Sequence, residues 1–209
     1  MSLVRDWSEE PIPEHPEWAA HDYRYTSFST DFKQVMEVTW KGPCNSLERL
    51  AALSTRIYED LWAQKVRYLE MSFGIGAYPY PASETLEALK SGAPDGMTVR
   101  LIGALSRARD IPKIREAARG YLEDDAMDGV DIHGNEHTGD PMAFADFYEE
   151  ARSRELILKA HAGEMRGPES IVEMLDKLGV KRIQHGVRGI ESDVLLARLI
   201  EEDVTLDLC

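Results

Sequence analysis

The sequence predicts an α/β fold in which a parallel sheet is covered by helices. Six short apolar segments alternate along the 209 residues with segments whose apolar residues recur at helical spacing. No segment repeats another, and the length is sufficient for one sizeable core. Strands that follow one another through a helix normally pair in parallel, but the alternation alone does not separate an open sheet from a closed barrel. We therefore expect a single domain over residues 1–209.

The first half of the chain begins irregularly and then enters this alternation. Three prolines break any regular element within residues 1–30, and residues 31–40 could form a short helix. Ser46 is a suitable N-cap for a helix that extends to about residue 64, with Leu50 and Ile57 on its apolar face. The elements that follow are a strand at 66–71, a helix at 83–89, a strand at 97–105 and a helix that begins after Asp110.

The second half contains the clearest helix of the pattern. Pro168 suits its first turn and Gly179 the position after its last, and a predicted strand lies on each side. The elements in order are a strand at 129–132, a helix at 140–154, a strand at 156–161, the helix at 168–178, a strand at 181–185, a helix after Ser192 with Val194, Leu195, Leu199 and Ile200 as its apolar residues, and a strand at 204–208.

Composition and charge narrow the class of partner. The chain has 24 Lys and Arg against 38 Asp and Glu, a net charge of −14. This charge argues against nucleic acid or an anionic membrane as partner and favours a small-molecule substrate. No apolar run approaches the 18 residues or so of a membrane span, and the first residues do not read as a signal peptide. Two cysteines are too few for a disulfide framework, so the expected location is the cytoplasm.

Two neighbouring strands end in histidine, and these ends carry the chemical signal of the sequence. His161 closes one strand, two small residues leave space beside it, and Glu164 follows. His185 closes the next strand and precedes Gly186. The carboxyl ends of parallel strands meet at one edge of the sheet, where chemistry is normally found. A metal ligand with a general acid or base three residues later is a sensible pair there.

These residues are part of three segments that resemble the adenosine deaminase family of the amidohydrolase superfamily. Residues 161–164 read His-Ala-Gly-Glu, residues 182–186 read Arg-Ile-Gln-His-Gly, and residues 129–136 read Gly-Val-Asp-Ile-His-Gly-Asn-Glu. Gln184 stands where the family more often has glycine. The resemblance implies a TIM-type (β/α)8 barrel. It also implies zinc-dependent hydrolytic deamination of an adenine-type purine (adenosine, adenine or a related aminopurine), which releases ammonia.

The resemblance assigns a role to four residues. It implies that His161 ligates zinc, that Glu164 donates a proton to the purine ring nitrogen, and that His185 orients the hydroxide on the metal. It also implies that the backbone of Gly134 meets the purine ring, where the lack of a side chain permits close approach. His133 stands where the family more often has a small or apolar residue. We interpret residues 133–137 as a pocket rim rather than a second metal cluster, and Glu70 as part of a structural ion pair.

Two parts of the family pattern are absent from the sequence. No His-x-His pair occurs, although the family's first strand supplies one as zinc ligands, and the Asp-Asp pair of its last strand is also missing. We therefore expect an incomplete barrel with about strands 2 to 7 present, and hypothesise that this chain alone is metal-poor and inactive. Its two sheet edges, near 66–71 and 203–208, would be exposed and could pair two copies as a homo-oligomer.

Two other functions remain open at this point. One is a non-catalytic barrel fragment, which the absent metal pairs favour. The other is a different amidohydrolase chemistry that acts on a ring amide. The glutamate directly after His-Ala-Gly favours deamination over hydrolysis of a ring amide.

Overall fold

The computed structural model describes Trp7 and residues 46–107, 110–123 and 127–208. The predictions of an irregular 1–30 segment and of a helix at 31–40 lie outside these residues, apart from Trp7. The chain divides into two compact units, Met1–Arg67 with Glu87–Met97 and Tyr68–Leu86 with Thr98–Cys209. None of the described helices is both long and apolar enough to cross a membrane.

The first unit contains helix α1, Leu47–Ala63. Ser46 caps it as predicted, because its side chain accepts a hydrogen bond from the backbone N–H of Arg49 at 3.2 Å. The buried face consists of Leu50, Ser54 and Tyr58, and the Tyr58 hydroxyl donates to the Leu89 carbonyl of the same unit. Ile57, which the sequence pattern assigned to the apolar face, is 37% exposed and lies at the edge of the buried face.

The second unit is built on a sheet of six parallel strands that pair in sequence order. Its strands are β1 Tyr68–Gly74, β2 Thr98–Ser106, β3 Gly129–His133, β4 Ile157–Ala162, β5 Arg182–His185 and β6 Thr205–Asp207. A flat sheet would separate β1 from β4 by about 14 Å, since strands are about 4.8 Å apart. Glu70 on β1 nevertheless contacts Lys159 on β4 at 3.0 Å, so the sheet curls as in a barrel.

Helices connect consecutive strands, as the alternation predicts. They are α2 Ala82–Lys90, α3 Ile111–Glu123, α4 Ala145–Ser153, α5 Pro168–Leu178 and α6 Asp193–Glu201. Short 3-10 turns at Pro141–Phe144 and Val187–Glu191 lead into α4 and α6, so the predicted helix at 140–154 is α-helical only in its later part. Helix α5 begins at Pro168 and ends before Gly179, whose φ of 60° is the left-handed conformation of a helix C-cap.

The core of this unit lies between the sheet and its helices. Strand β2 is buried continuously from Leu101 to Ser106, as expected for a strand covered on both faces. Leu195 and Leu199 of α6 are buried. Val194 and Ile200, the other two apolar residues of this helix, are 83% and 81% exposed. They lie beside rather than on the face that Leu195 and Leu199 bury.

Candidate functional site

Strands β3, β4 and β5 deliver three histidines to one edge of the sheet. The rings of His161 and His185 have centroids 5.2 Å apart, and those of His133 and His161 are 6.1 Å apart. The two histidines that the sequence singled out are therefore neighbours in space, although 24 residues separate them along the chain. This cluster is the candidate active site.

His161 is held from behind by a buried carboxylate. Its Nδ1 atom lies 3.0 Å from Oδ2 of Asp131, a residue of β3 with no exposed side-chain surface. Burial alone would lower the pKa of His161, but the negative charges of Asp131 and Glu164 outweigh burial and raise the pKa. With Nδ1 engaged, the ring presents Nε2 away from Asp131, the arrangement found behind metal-bound histidines.

Glu164 and His185 face each other across the cluster. The Oε2 atom of Glu164 lies 3.4 Å from Nε2 of His185, and the Glu164 side chain is 41% exposed. His185 has a φ of +68°, which is uncommon for a residue other than glycine, and Gly186 continues at +69°. The Gly186 N–H donates to the Ala162 carbonyl at 2.9 Å, so this turn is fixed to the end of β4. Such constrained backbone is frequent at functional sites.

The loop that carries Glu164 is fixed by a second buried carboxylate. Glu136 is 3% exposed and accepts hydrogen bonds from the backbone N–H groups of residues 163–166. Burial tends to raise the pKa of Glu136, but hydrogen bonds from the loop backbone and from the Ser170 hydroxyl outweigh burial, and the pKa is lowered. The sequence interpretation placed Glu136 on a pocket rim, and the structure corrects this: it is an interior anchor.

The remaining residues of the 133–137 segment form a turn. Gly134 follows the last residue of β3 with a φ of 104°, a conformation that suits glycine. The backbone N–H of His137 donates to the side-chain oxygen of Asn135 at 3.0 Å. Gly134 is thus placed at the edge that carries the histidines, and its contact with a purine stays a prediction.

A second polar cluster lies on the same face of the curled sheet as His161, nearer the amino ends of the strands. Glu70 contacts Lys159 and Arg182, and Lys159 also contacts Asp207 at 2.6 Å. These residues line a cavity of about 370 Å³ with Tyr68 and Gln184. Burial would raise the pKa of Glu70, but hydrogen bonds from Tyr68, Arg182 and Lys159 lower the pKa to about 2. Glu70 therefore forms the structural ion pair that the sequence predicted.

The described residues supply one oriented metal ligand but not a complete zinc site. A catalytic zinc site normally has three protein ligands. His161 fits the role of one ligand, since Asp131 engages its Nδ1 atom. Within 46–107, 110–123 and 127–208, no group of three His, Cys, Asp or Glu side chains is placed to hold a metal ion. These residues alone therefore do not fit a catalytic zinc ion.

Asp131 and Glu136 are the functional candidates that sequence reasoning missed. Each is a charged residue in or next to a strand that is otherwise buried. A charged residue in such a position is rarely buried without a role, so the position itself could have indicated a functional carboxylate. A carboxylate in such a place needs a partner. The partners lie 27 to 30 residues away along the chain, so the sequence does not identify them.

Comparisons with known proteins agree with the motifs. A family model described as "Adenosine deaminase" matches residues 6–209. An adenosine deaminase of Shigella flexneri is 28% identical over an alignment that covers 100% of this chain and 64% of the relative. An adenine deaminase of Streptomyces coelicolor is 36% identical over 78% of this chain and 53% of the relative. The chain thus spans about two thirds or less of the length of these relatives.

Solved structures confirm the predicted fold. The adenine deaminase of Arthrobacter aurescens superposes with a TM-score of 0.81 at 24% identity, covering 98% of this chain and 66% of that chain. An amidohydrolase from Burkholderia ambifaria, solved with bound Zn, gives a TM-score of 0.69 at 24% identity over 78% of this chain and 48% of that chain. The expectation of an incomplete (β/α)8 barrel is therefore confirmed.

Proposed function

Because this chain belongs to the adenosine deaminase family, we propose that the protein it represents removes the amino group of an adenine-type purine by hydrolysis and releases ammonia. One observation carries the proposal. His161, Glu164 and His185 converge at the carboxyl ends of β4 and β5, with Asp131 directly behind His161. This edge is where barrels of this type place their chemistry.

The reaction assigns a separate task to each side chain. Water adds to the ring carbon that bears the amino group, and the carboxyl of Glu164 gives a proton to the adjacent ring nitrogen. One proton of the water goes to the amino group, which leaves as ammonia, and the other restores the carboxyl of Glu164, while the ring carbon keeps the oxygen as a carbonyl. His185 lies 3.4 Å from Glu164 and orients the attacking oxygen on the same side of the ring. Gly134 provides a position where the ring can approach backbone.

Free adenine is a substrate to test beside adenosine. The relative with 36% identity is named an adenine deaminase, whereas the relatives with full coverage of this chain, at 28% identity or less, are named adenosine deaminases. His133 stands next to Gly134 at the edge of the site, with its ring 6.1 Å from that of His161. A bulky side chain here would limit the space beside the purine.

Zinc is the proposed cofactor of the whole protein, with His161 as one of its ligands. The family resemblance supports this, and so does the solved amidohydrolase with bound Zn. The other ligands would have to come from outside the described residues, because those residues supply no group of three donors. We therefore expect residues 1–209 alone to bind zinc weakly and to release little or no ammonia.

The outer strands support a proposal about assembly. Among the described residues, β1 and β6 each pair with only one strand. Unpaired edges favour association with another strand, so two copies of this chain are expected to associate as a homo-oligomer. Light scattering on the purified chain tests this, and a monomer at all concentrations would contradict it.

Ammonia release is the direct test of the reaction. We propose that the natural protein includes the further barrel strands that complete the zinc site. Ammonia release is measured with added zinc for residues 1–209 and for this natural protein, with adenine, adenosine and related aminopurines. We expect release from at least one purine by the natural protein, and its loss in Glu164→Gln. Absence of release from every purine would overturn the proposal and favour a non-catalytic barrel fragment. Release from ring amides instead of aminopurines would favour the other amidohydrolase chemistry.

A further inference from the structure

The pairing of β3 with β4 ends before the candidate site. Their register includes only Gly129 with Ile157 and Val130 with Leu158. The next pair of strands continues much further, because β4 and β5 remain paired up to Ala162 and His185. The end of β3 is therefore not connected to the end of β4 by backbone hydrogen bonds of the sheet. Side chains have to fix the two strand ends relative to each other.

Glu136 spans this gap with four hydrogen bonds. Its Oε1 atom accepts from the N–H groups of Glu164 and Met165, both at 2.9 Å. Its Oε2 atom accepts from Gly163 at 3.0 Å and from Arg166 at 3.4 Å. Four consecutive backbone donors thus converge on one carboxylate, and no other acceptor in the described residues does the same for Glu164 or Met165.

The loop is shaped to receive an anion at this position. Gly163 has a φ of +70°, and a Cβ atom there would lie 2.6 Å from the Ile171 side chain. Successive N–H groups around a left-handed residue turn toward one point and form a concave site for negative charge. Hydrogen bonds to an ionised acceptor are about twice as strong as those between neutral groups. A carboxylate supplies both the charge and the two oxygens that this loop needs.

The backbone turn that carries Glu136 is also held in place. The N–H of Thr138 donates to the Asn135 carbonyl at 3.0 Å and closes the turn around Glu136. The N–H of Arg107 donates to the His133 carbonyl at 2.9 Å, which ties this turn to the end of β2. A Cβ atom at Gly139 would lie 2.2 Å from the Arg107 carbonyl, so the turn packs closely on that strand end. Glu136 therefore links the 163–166 loop to a turn that is fixed on the end of β2.

We infer that Glu136 is a positioning residue that holds the 163–166 loop so that the Glu164 carboxyl faces His185. The catalytic consequence of this role rests on the proposed function, while the structural part does not. Glu136 acts through the backbone of the residue that is proposed to give the proton. The orientation of Glu164 is thus set by the turn that follows β3, from 28 residues earlier in the chain.

Amide hydrogen exchange in residues 1–209 tests the structural part without any need for activity. Glutamine keeps the volume of glutamate but has one acceptor oxygen and no charge. In Glu136→Gln the side-chain NH2 group replaces one of the two acceptor oxygens. We expect hydrogen exchange to accelerate at least about tenfold at the two loop N–H groups that donated to that oxygen. Amides of α3 and β2 should keep their exchange rates. Unchanged exchange at 163–166, or the same acceleration throughout the chain, would overturn the inference.

Ser170→Ala is the matched control. The Ser170 hydroxyl also accepts from the Gly163 N–H, at 2.8 Å, and it is equally buried. Its removal takes one hydrogen bond from Gly163 and one from the Glu136 carboxylate but keeps the charge and both oxygens of that carboxylate. Exchange at Glu164 and Met165 should therefore accelerate far less than in Glu136→Gln. If Glu136→Gln does not fold, Glu136→Asp takes its place, since it keeps the charge but withdraws it by one methylene. Selective acceleration at 163–166 supports the inference, and acceleration throughout the chain contradicts it.

Kinetics of the natural protein test the catalytic part. Misplacement of a reacting group by about 1 Å costs about 100-fold in rate, so kcat should fall by about 10- to 100-fold in Glu136→Gln. The KM should change less than about threefold, because substrate contacts remain. A rise in KM with unchanged kcat would contradict the positioning role. If wild-type protein releases no ammonia, the proposed function fails, and the exchange experiment still decides whether Glu136 holds the loop.

Discussion

Lys159 and His161 stand two residues apart on the same strand and face the same side of the sheet, yet their surroundings differ. The ammonium group of Lys159 lies between Glu70 and Asp207, and its side chain is 4% exposed. The ring of His161 has Asp131 on one side only and is 28% exposed. The lower position is enclosed by opposite charges, whereas the upper position is supported from behind and open in front.

This difference assigns a structural role to Lys159 and a chemical role to His161, although both lie on one strand. Successive inward-facing residues of a strand are about 7 Å apart, so the two layers are distinct. A buried charge enclosed by partners stabilises one arrangement of the sheet, but it has no donor or acceptor left for a ligand. A histidine fixed through one nitrogen keeps the other for a metal ion or a substrate. We therefore expect substitutions in the lower layer to affect stability and those in the upper layer to affect catalysis.

The largest expected effect is on catalysis and comes from Glu164→Gln in the natural protein. The amide keeps the shape of the side chain but cannot donate an acidic proton, so kcat should fall by about 100- to 10,000-fold. The free energy of unfolding should change by less than about 0.5 kcal/mol, since the side chain is 41% exposed. Rates of ammonia release and urea unfolding curves check this, and an unchanged kcat would exclude Glu164 as the proton donor.

The next effect is on stability and comes from Glu70→Gln. This change leaves Lys159 with Asp207 alone and removes the carboxylate that Lys159 shares with Arg182, so we expect a loss of about 1.5 to 3 kcal/mol, the range for hydrogen bonds to charged groups. Urea unfolding of residues 1–209 measures it. Glu84→Gln on the exposed side of α2 is the control and should change the free energy of unfolding by less than about 0.5 kcal/mol. Equal stability of both variants would contradict a structural role for the lower layer.

Acid should weaken the same layer. The pKa of Glu70 is lowered from 4.5 to about 2, so its contribution to stability is complete above pH 4.5 and is lost as the pH falls toward 2. At pH 3 we expect a loss of about 2 kcal/mol relative to neutral pH from this group. Glu70→Gln should remove this part of the acid dependence. If the free energy of unfolding falls by the same amount in wild type and in Glu70→Gln between pH 6 and 3, Glu70 is not the group responsible.

A smaller effect is expected from Asp131→Asn. Partners of metal-binding histidines typically contribute about 10- to 100-fold to activity or metal affinity, and we expect about tenfold here. The asparagine keeps an acceptor but loses the charge that fixes the ring of His161. Ammonia release by the natural protein gives the activity, and the ¹⁵N chemical shift of Nδ1 in His161 reports the ring directly. A fall in activity without any shift would point to a general structural defect instead.

The order of elements was predictable because each one has a local signal. Ser46, Pro168 and Gly179 mark helix ends through hydrogen bonds and backbone angles that depend on adjacent residues. Burial does not follow from apolar character alone, since Val194 and Ile200 are apolar but exposed. Apolar character indicates that a residue can be buried, but its position on the helix relative to its neighbours decides whether it is.

The site was only partly predictable, for a related reason. His161, Glu164 and His185 lie in recognisable motifs at strand ends, so their convergence followed from parallel topology. Asp131 and Glu136 act through contacts between separate strands and loops. Which backbone N–H groups lack a partner in the sheet is known only once the point where β3 and β4 separate is known. A single sequence does not contain that information in readable form.

A crossed measurement on two glutamates tests the central claim most directly. Glu164→Gln and Glu70→Gln are prepared in the natural protein, and kcat for ammonia release and the free energy of unfolding are measured for each. We predict that the first variant loses kcat and keeps stability, while the second loses stability and keeps kcat for its folded fraction. Loss of the same quantity in both variants would contradict the separation of a structural layer from a catalytic edge.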